Sequence, residues 1–402
     1  MSTQLSAFDL VPVTSGSSAS TAVSNSLDFA VQVEQFGYER LWYGEHHLNP
    51  GVIGYSPALM IALAGGVTKT IRLGAGAVLA GHRTALSVAE EFGLLEAAFP
   101  GRIDMGLGRA GLRSPGNQQD AQTVAAESDS FSNIAESHRT EHGVVIPASP
   151  DLSSLFNSPR FRIQRQLLNQ PGAQPGTYDE FIADLLDLLI NRKVVDGYEL
   201  AGTVPVQVNP EVWVLGSSAG ESSQIAGARG LRFGANYHVA PAKVLEAVAD
   251  YRRAFKPNAQ LAEPYVIVSA EVLVADTEEQ AQRLAAGYDL WVHSIRTGQG
   301  AIYYPTPDEA AATPLSEAHW PIVADRVSTR FVGTAEQVVA QLESLRQATD
   351  ADELLISTIT HDHAARVRSF ELLAQAWYAS QDNPKERMLA STTPQNSRMT
   401  NV

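Results

Sequence analysis

The chain has 402 residues, of which 44% are hydrophobic, and is long enough to bury a large core. Its formal net charge of −15 at pH 7 disfavours nucleic acid and anionic membrane surfaces as partners. The absence of cysteine excludes disulfides, thiolate metal ligands and cysteine nucleophiles. The first residues show no basic region followed by an apolar stretch, and no apolar run reaches about 18 residues, so we expect a cytoplasmic protein without a membrane span.

Eight short apolar runs alternate with helical patterns along most of the chain. The runs lie at residues 7–13, 40–47, 71–79, 102–110, 211–217, 232–239, 265–275 and 353–360. They are mostly continuous in hydrophobicity, which is typical of strands buried on both faces. Strand–helix alternation predicts a parallel sheet, and eight such repeats close a (β/α)8 TIM barrel. We therefore predict an α/β fold with one barrel over residues 1–379, with an open doubly wound sheet as the alternative.

The helical patterns carry start and stop signals. The first pattern runs from about Thr21 to Phe36 and is ended by Gly37. Near the other end of the chain, Thr334 and Gln337 have the T-x-x-Q spacing of a capping box. These signals separate the predicted strands in the way that a barrel requires.

Two segments do not fit the repeat. Residues 112–176 follow the fourth predicted strand and are rich in Ser, Asn, Gln and Pro, and residues 298–331 form a second break. Long loops inside compact domains are usually functional lids or disordered segments, so we expect the insertion 112–176 to be a lid. Residues 380–402 have the composition of a disordered tail.

One short stretch resembles a nucleotide-binding motif. Residues 102–111 read RIDMGLGRAG, in which Gly106, Gly108 and Gly111 have the G-x-G-x-x-G spacing of a dinucleotide-binding loop. Such a loop must open a helix, whereas Pro115 in the following stretch is incompatible with a helix interior. The glycines therefore need a different explanation.

Reactive side chains gather after the predicted strands. They are Glu45, His46, His47, Arg109, Ser217, Ser218, Asn236, His238, Thr360, His361 and His363. In a barrel, the C-terminal ends of the strands converge on the active site, so this distribution favours an enzyme. Ser217 and Ser218 are either ordinary caps of the next helix or, with its free N–H groups, an anion site.

Two classes of enzyme fit these residues. One is a redox enzyme that holds a phosphorylated cofactor between Arg109 and the Ser217–Ser218 turn. The other is a metal-dependent hydrolase that uses the histidines at 46, 47, 361 and 363. Neighbours on a strand point to opposite faces, so His46 and His47 do not easily share one metal ion, and we expect no metal. A non-catalytic binding barrel is a third alternative.

Several blocks of the sequence resemble the bacterial-luciferase-like flavin-dependent monooxygenases. They are GYERLWYGEHHLNP (37–50), PGRIDMGLGRA (100–110), EVWVLGSS (211–218) and DELLISTITHDHAARVRSFELLA (352–374). The similarity covers residues 5–110 and 205–378. It implies a barrel that takes reduced FMN from a partner flavin reductase, activates O2 as a C4a-peroxyflavin and oxygenates a small organic substrate. It also implies a homo-oligomer. An F420-dependent oxidoreductase of the same superfamily is the alternative.

The resemblance assigns roles to individual residues. His46 matches the histidine that assists the oxygen chemistry, a role that suits a near-neutral pKa. Gly76 and Ala77 match a pair behind the flavin ring that is joined by a cis peptide bond in relatives. Arg109, with Ser217 and Ser218, matches the flavin-phosphate site.

The resemblance also accounts for the glycines of the fourth strand. Gly106 and Gly108 leave room for the flavin, with Arg109 beside them as the phosphate partner. The remaining candidates for substrate or lid contacts are His47, His82, His238 and His361.

Overall fold

The computed structural model describes residues 3–112, 136–190, 192–200 and 210–382. Eight parallel strands form the barrel: β1 (Gln4–Asp9), β2 (Arg40–Tyr43), β3 (Arg72–Leu79), β4 (Ile103–Gly108), β9 (Glu211–Gly216), β10 (Arg232–Asn236), β11 (Val266–Val274) and β13 (Glu353–Ser357). Five short strands lie outside it: β5 (His138–Arg139), β6 (Val145–Ile146), β7 (Lys193–Val195), β8 (Tyr198–Leu200) and β12 (Phe331–Gly333).

The sheet closes on itself. Neighbours in sequence pair from β1 to β4, with a register shift between Ala75 and Val78 where β3 meets β4, and β4 then pairs with β9 across the insertion. The ring continues through β10, β11 and β13, and β13 returns to β1 with Gln4 opposite Glu353. The predicted (β/α)8 barrel is therefore confirmed, and the open doubly wound sheet is excluded.

Helices surround the barrel. They are α1 (Ala19–Gln35), α2 (Pro57–Val67), α3 (Ala85–Ala98), α4 (Ser153–Phe156), α5 (Pro159–Leu168), α6 (Tyr178–Leu189), α7 (Glu221–Ala228), α8 (Val244–Ala254), α9 (Glu278–Leu284), α10 (Tyr288–Arg296), α11 (Pro307–Ala312), α12 (Trp320–Ser328), α13 (Ala335–Thr349) and α14 (His363–Asp382). In the described part of the chain, no helix is both long enough and apolar enough to cross a membrane.

Local sequence explains where these helices begin. The Ser18 hydroxyl accepts the Thr21 N–H at the start of α1. At the start of α13, the Thr334 N–H donates to Gln337 Oε1 at 2.9 Å, which is one half of the predicted capping box. The main core lies between the strands and these helices.

Large side chains fill the barrel interior. Phe8, Trp42, Trp213, Ile267 and Leu355 form a buried cluster there, and the two indoles meet edge to face with ring centroids 5.3 Å apart. A methyl group at Gly106 would lie 2.0 Å from the Ala75 carbonyl and 3.1 Å from the Trp42 ring. Gly106 is therefore required by packing inside the barrel, and the prediction that it leaves room for a flavin was wrong.

Charged residues ring the N-terminal ends of the strands. We call Arg40, Arg72, Asp104, Glu211 and Glu353 the basal ion cluster. Arg40 Nη1 lies 2.6 Å from Glu353 Oε2, and Arg72 Nε lies 2.9 Å from Asp104 Oδ2. Glu211 joins both arginines at 3.3 and 3.5 Å. These pairs link β2, β3, β4, β9 and β13 at the N-terminal ends of the strands.

Several boundaries differ from the sequence predictions. The first strand ends at Asp9 because Val11 adopts a left-handed φ of 52°, and the second ends at Tyr43, so His46 and His47 lie in the following loop. Residues 298–331 contain α11 and α12 as well as loops. A capping box between Thr306 and Glu309, with Pro307 at the first helical position, starts α11.

The insertion and the tail lie partly outside the described residues. Residues 113–135 and 383–402 lie outside the described residues, so what the sequence predicts for them stays a prediction. The described remainder of the insertion contains the β5–β6 hairpin, α4 and α5. At the other end, α14 continues to Asp382, three residues into the predicted tail.

Candidate active site

A cavity of about 680 Å³ opens among the C-terminal ends of the strands. Apart from Gly106, the residues that the sequence assigned to catalysis or cofactor binding line it, together with one of the histidine candidates: His46, Gly76, Ala77, Gly108, Arg109, Ser217, Ser218 and His238. These residues come from the ends of β2, β3, β4, β9 and β10, so barrel closure brings them together. This location agrees with the general position of active sites in TIM barrels.

The wall formed by β3 and β4 is built from small residues. The Gly76–Ala77 peptide bond is cis, as the resemblance implies. A methyl group added at Gly108 would lie 3.2 Å from the Ala77 Cβ, and one at Gly76 would lie 3.3 Å from the Phe8 ring. Side chains larger than those present would therefore crowd this wall of the cavity.

His46 faces the cavity from the loop after β2. Its backbone N–H donates to the Gly54 carbonyl at 2.8 Å, which fixes the loop. The ring is buried, and its Nδ1 has no hydrogen-bond partner among the described residues. Burial lowers the pKa of His46 to about 4, so the ring is neutral near pH 7, and the expected near-neutral pKa was wrong.

His238 and Arg326 form the neighbouring part of the wall. Burial, with the nearby charge of Arg326, lowers the pKa of His238 to about 3, and its Nδ1 lies 2.6 Å from the Ser269 hydroxyl. Arg326 on α12 donates to the His238 carbonyl and to the Tyr288 hydroxyl, both at 3.0 Å. This part of the wall therefore places two neutral imidazoles beside the Arg326 cation.

The other end of the cavity can hold an anion. Ser217 and Ser218 lie in a turn that precedes α7. The N-cap of α7 is Gly220, so neither serine is the ordinary helix cap that one of the two sequence interpretations expected. Asn236 donates to the Ser217 hydroxyl at 3.2 Å. Arg109 Nη1 lies 3.0 Å from Glu221 Oε2 at the start of α7. One cation, two hydroxyls and a helix N-terminus thus converge here.

Residues 3–125 and 177–352 match the sequence profile described as luciferase-like monooxygenase. The chain belongs to the luciferase-like monooxygenase family. YvbT of Bacillus subtilis is 34% identical over 93% of this chain and 97% of its own length. A luciferase-like monooxygenase of Escherichia coli strain K12 is 32% identical over 91% of this chain and 95% of its own length.

Solved structures show the same fold. The apo form of MsnO8 superposes with a TM-score of 0.71 at 27% identity and covers 94% of this chain and 98% of its own. A 3,6-diketocamphane monooxygenase component from Pseudomonas putida, in complex with FMN, has a TM-score of 0.53 at 18% identity. The match covers 94% of this chain and 98% of that structure's chain. An F420-dependent secondary alcohol dehydrogenase has a TM-score of 0.55 at 14% identity, and the match covers 94% of this chain and 99% of that structure's chain. These last two likenesses show the fold alone.

Three of the predicted histidines lie outside the lining of the cavity in this luciferase-like barrel. His47 and His82 both contact the Glu45 carboxylate, at 2.9 and 2.8 Å. Burial opposes the charge of Glu45, but hydrogen bonds from both histidines and the Leu79 N–H lower its pKa to about 2. His361 Nε2 lies 2.9 Å from the Ser15 carbonyl. Of the four substrate or lid candidates, His238 alone lines the cavity.

Four charged residues that line the cavity were missed by the sequence analysis of this family member: Glu221, Lys243, Glu271 and Arg326. Glu271 lies within the apolar run of β11, where it accepts the Ser357 hydroxyl at 2.6 Å and the Ile359 N–H at 3.0 Å. Burial raises its pKa. A carboxylate inside an otherwise apolar strand was the available signal. Arg326 was missed because α12 falls in the segment interpreted as a break.

Proposed function

We propose that this protein is a monooxygenase that uses reduced FMN, delivered by a flavin reductase, and O2 to oxygenate a small organic substrate. The observation that carries the proposal is the single cavity that joins His46 to the Arg109 and Ser217–Ser218 anion site. Family membership supports the reaction class. When bound, reduced FMN would supply the electrons that activate O2.

The cavity residues fit the two ends of FMN. Arg109, Ser217 and Ser218 would hold the phosphate through charge-assisted hydrogen bonds. The wall of Gly76, Ala77 and Gly108 would lie against the flat ring, since a methyl group at either glycine would crowd its neighbours. The cavity volume of about 680 Å³ is in the range of pockets that enclose cofactor-sized ligands.

His46 would act as a neutral imidazole. Its buried Nδ1 lacks a partner among the described side chains and backbone groups, so a ligand atom could complete its hydrogen bonding. With a pKa of about 4 it carries no charge near pH 7 and can accept a proton at that nitrogen. We propose that His46 accepts a proton during oxygen activation. The second neutral imidazole, His238, lines the same cavity.

Glu221 modifies the charge at the anion end of the cavity. The carboxylate of Glu221 pairs with Arg109 at the anion end of the cavity, so part of the positive charge there is already neutralised. FMN ends at its phosphate, whereas F420 continues into a tail that carries further carboxylates. Both cofactors would place an anion beside this ion pair, so its charge alone does not distinguish them, and F420 is the second candidate.

The described end of the insertion supports its proposed role as a lid. Phe156 of α4 lines the cavity, and its ring packs edge to face against Phe161 with centroids 5.6 Å apart. The Tyr237 hydroxyl, at the end of β10, donates to the Val145 carbonyl at 2.7 Å. Limited proteolysis should cut 112–176 more slowly once flavin and substrate are bound; equal rates would contradict the lid role.

An exposed apolar stripe supports the expected homo-oligomer. Leu59, Leu63 and Val67 are exposed at every fourth position of α2, a helix without charged residues. Leu86 and Leu94 are exposed on the adjacent α3. A two-fold contact places the same patch from two copies face to face, and an uncharged stripe is complementary to itself. We therefore infer a homodimer, which light scattering of the purified chain would detect.

Anaerobic titration with reduced FMN tests the proposed function. We expect saturable binding with a change in the flavin spectrum, weaker binding of oxidised FMN, and O2 consumption when air is admitted. F420 and NADPH, titrated in parallel, should bind weakly. Tighter binding of F420 than of reduced FMN, or no binding of either flavin, would contradict the proposal.

A further inference from the structure

We propose that Glu45, His47 and His82 form a binding site for one divalent transition-metal ion. Glu45 and His47 are separated by one residue in the loop after β2. His82 ends the short 3-10 turn Ala80–His82 that follows β3, the strand paired with β2. The loops after two adjacent strands therefore bring the three side chains to one place.

The potential ligand atoms already converge. His47 Nε2 and His82 Nε2 lie 2.9 and 2.8 Å from the same oxygen, Glu45 Oε1. The three ligand atoms all lie within 4.8 Å of one another. The imidazole rings are nearly perpendicular, at 84°, with centroids 5.2 Å apart. Two rings thus approach one carboxylate from different directions, as ligands around a single ion do.

The chemistry of the set matches a borderline metal ion. Zinc is held in proteins by imidazole nitrogen and carboxylate oxygen at about 2.0–2.2 Å, and two histidines with one glutamate are a known ligand combination. At such distances the ligand atoms lie about 3.3 Å apart, so each histidine nitrogen would need to move about 0.5 Å away from Glu45 Oε1. Imidazole ligands exclude magnesium and calcium as the preferred ions.

The surroundings of the cluster would protect a bound ion. The side chains of Glu45, His82 and His47 are 2, 12 and 18% exposed. The second carboxylate oxygen of Glu45 accepts the Leu79 N–H at 3.0 Å, which orients the carboxylate. An ion here would fasten the loop after β2 to the end of β3, two residues beyond Ala77, and so brace one wall of the cavity.

Hydrogen bonding without metal is the competing explanation. In that arrangement each histidine donates its Nε2 proton to Glu45. Metal binding instead requires those two nitrogens to be unprotonated and to share an ion. Glu45→Gln separates the two arrangements. An amide oxygen still accepts hydrogen bonds from the histidines, so the hydrogen-bonded arrangement should persist, but it is a poor metal ligand, so metal binding should weaken.

The experiment is a calorimetric titration of the untagged, chelator-treated full chain with Zn²⁺. We expect one ion per chain and a melting temperature that rises with Zn²⁺ concentration. His47→Ala, His82→Ala and Glu45→Gln should each weaken Zn²⁺ binding by about tenfold or more. The exposed His138 is the matched control, and His138→Ala should bind Zn²⁺ as the unchanged chain does.

Two results would overturn the proposal. One is the absence of saturable binding of one Zn²⁺ per chain, and the other is unchanged affinity in the cluster variants. Should an alanine variant fold poorly, His47→Gln and His82→Gln replace it, and the visible spectrum of a Co²⁺ complex of the unchanged chain reports coordination directly. All measurements are made without flavin, so their outcome is independent of the FMN titration.

Discussion

The two ends of the barrel use polar residues in opposite ways. At the N-terminal ends of the strands, the basal ion cluster joins charges of opposite sign, with Arg40 5% and Glu353 0% exposed. At the C-terminal ends, His46 Nδ1 is buried without a partner in the described part of the chain, and Arg109 and Glu221 border an open cavity. The buried layer of Trp42 and Trp213 lies between the two ends.

This difference separates stability from chemistry. Buried charges are costly unless they are paired, so the basal ion cluster must stay complete for the barrel to fold. A buried polar atom without a partner lowers stability, and His46 Nδ1 lies where a ligand in the cavity could satisfy it. The comparison therefore predicts that substitutions at one end change unfolding, and substitutions at the other change binding and turnover.

The largest effect should follow the loss of His46. We expect His46→Ala to retain FMN but to lower product formation by about 10²–10⁴-fold, because a general acid–base group is removed. Oxygen uptake should continue, with hydrogen peroxide released instead of oxygenated product. The measurement is the ratio of product to oxygen consumed, and a normal ratio would remove His46 from the proposed mechanism.

Removal of Glu353 should act at the other end. Glu353→Ala leaves the buried Arg40 without its nearest counter-ion, so the free energy of unfolding should fall by about 3–5 kcal/mol. Denaturant midpoints measure this loss. Arg283→Ala, which breaks an exposed pair with Asp308, is the control and should change little. FMN affinity of folded Glu353→Ala should be normal; a large loss of affinity would contradict the separation of the two ends.

A smaller effect is expected at the anion site. A hydrogen bond to a charged group contributes about 1.5–3 kcal/mol, so Arg109→Ala should weaken FMN binding about tenfold to hundredfold. Riboflavin, which lacks the phosphate, is the matched ligand and should bind equally to both proteins. Equal losses for the two ligands would mean that Arg109 does not contact the phosphate.

The smallest effect at neutral pH concerns the titration of His46. Its pKa is about 4 in the folded chain and 6.5 as an ordinary histidine, so the unfolded chain binds more protons between these values. Stability should therefore fall as the pH decreases from 6.5 towards 4, with no contribution near pH 7. His46→Asn should make the free energy of unfolding depend less steeply on pH, by the equivalent of up to about one bound proton. Denaturant midpoints measured between pH 4 and 6.5 would report this change. An unchanged slope would place the lowered pKa in doubt.

The sequence was sufficient for the barrel and for most of the residues it assigned to one site, which the structure brings together around one cavity. Eight continuous apolar runs fixed the number of strands, and closure then placed His46, Arg109 and Ser217 around one space. Position after a strand was enough information, because all strands of a parallel barrel end on the same side.

The remaining site residues depend on contacts that periodicity does not encode. Arg326 reaches the cavity from α12, a helix between long loops, and its role depends on contacts with His238 and Tyr288. His47 and His82 turn towards Glu45, which requires the loops after β2 and β3 to be known in three dimensions. Gly106 was misassigned because the shape of the Trp42 indole inside the barrel is not visible in a one-dimensional pattern.

The Trp42–Trp213 layer has a consequence for how this barrel could diversify. The two indoles pack edge to face and separate the basal ion cluster, which tolerates little substitution, from the cavity, whose lining can be substituted. Residues on the cavity side of the indoles, such as Phe156 and Val239, can be exchanged for others without touching Arg40 or Glu353 on the other side. Proteins with this barrel can therefore evolve new substrate specificity through substitutions in the cavity lining, while the basal ion cluster stays unchanged.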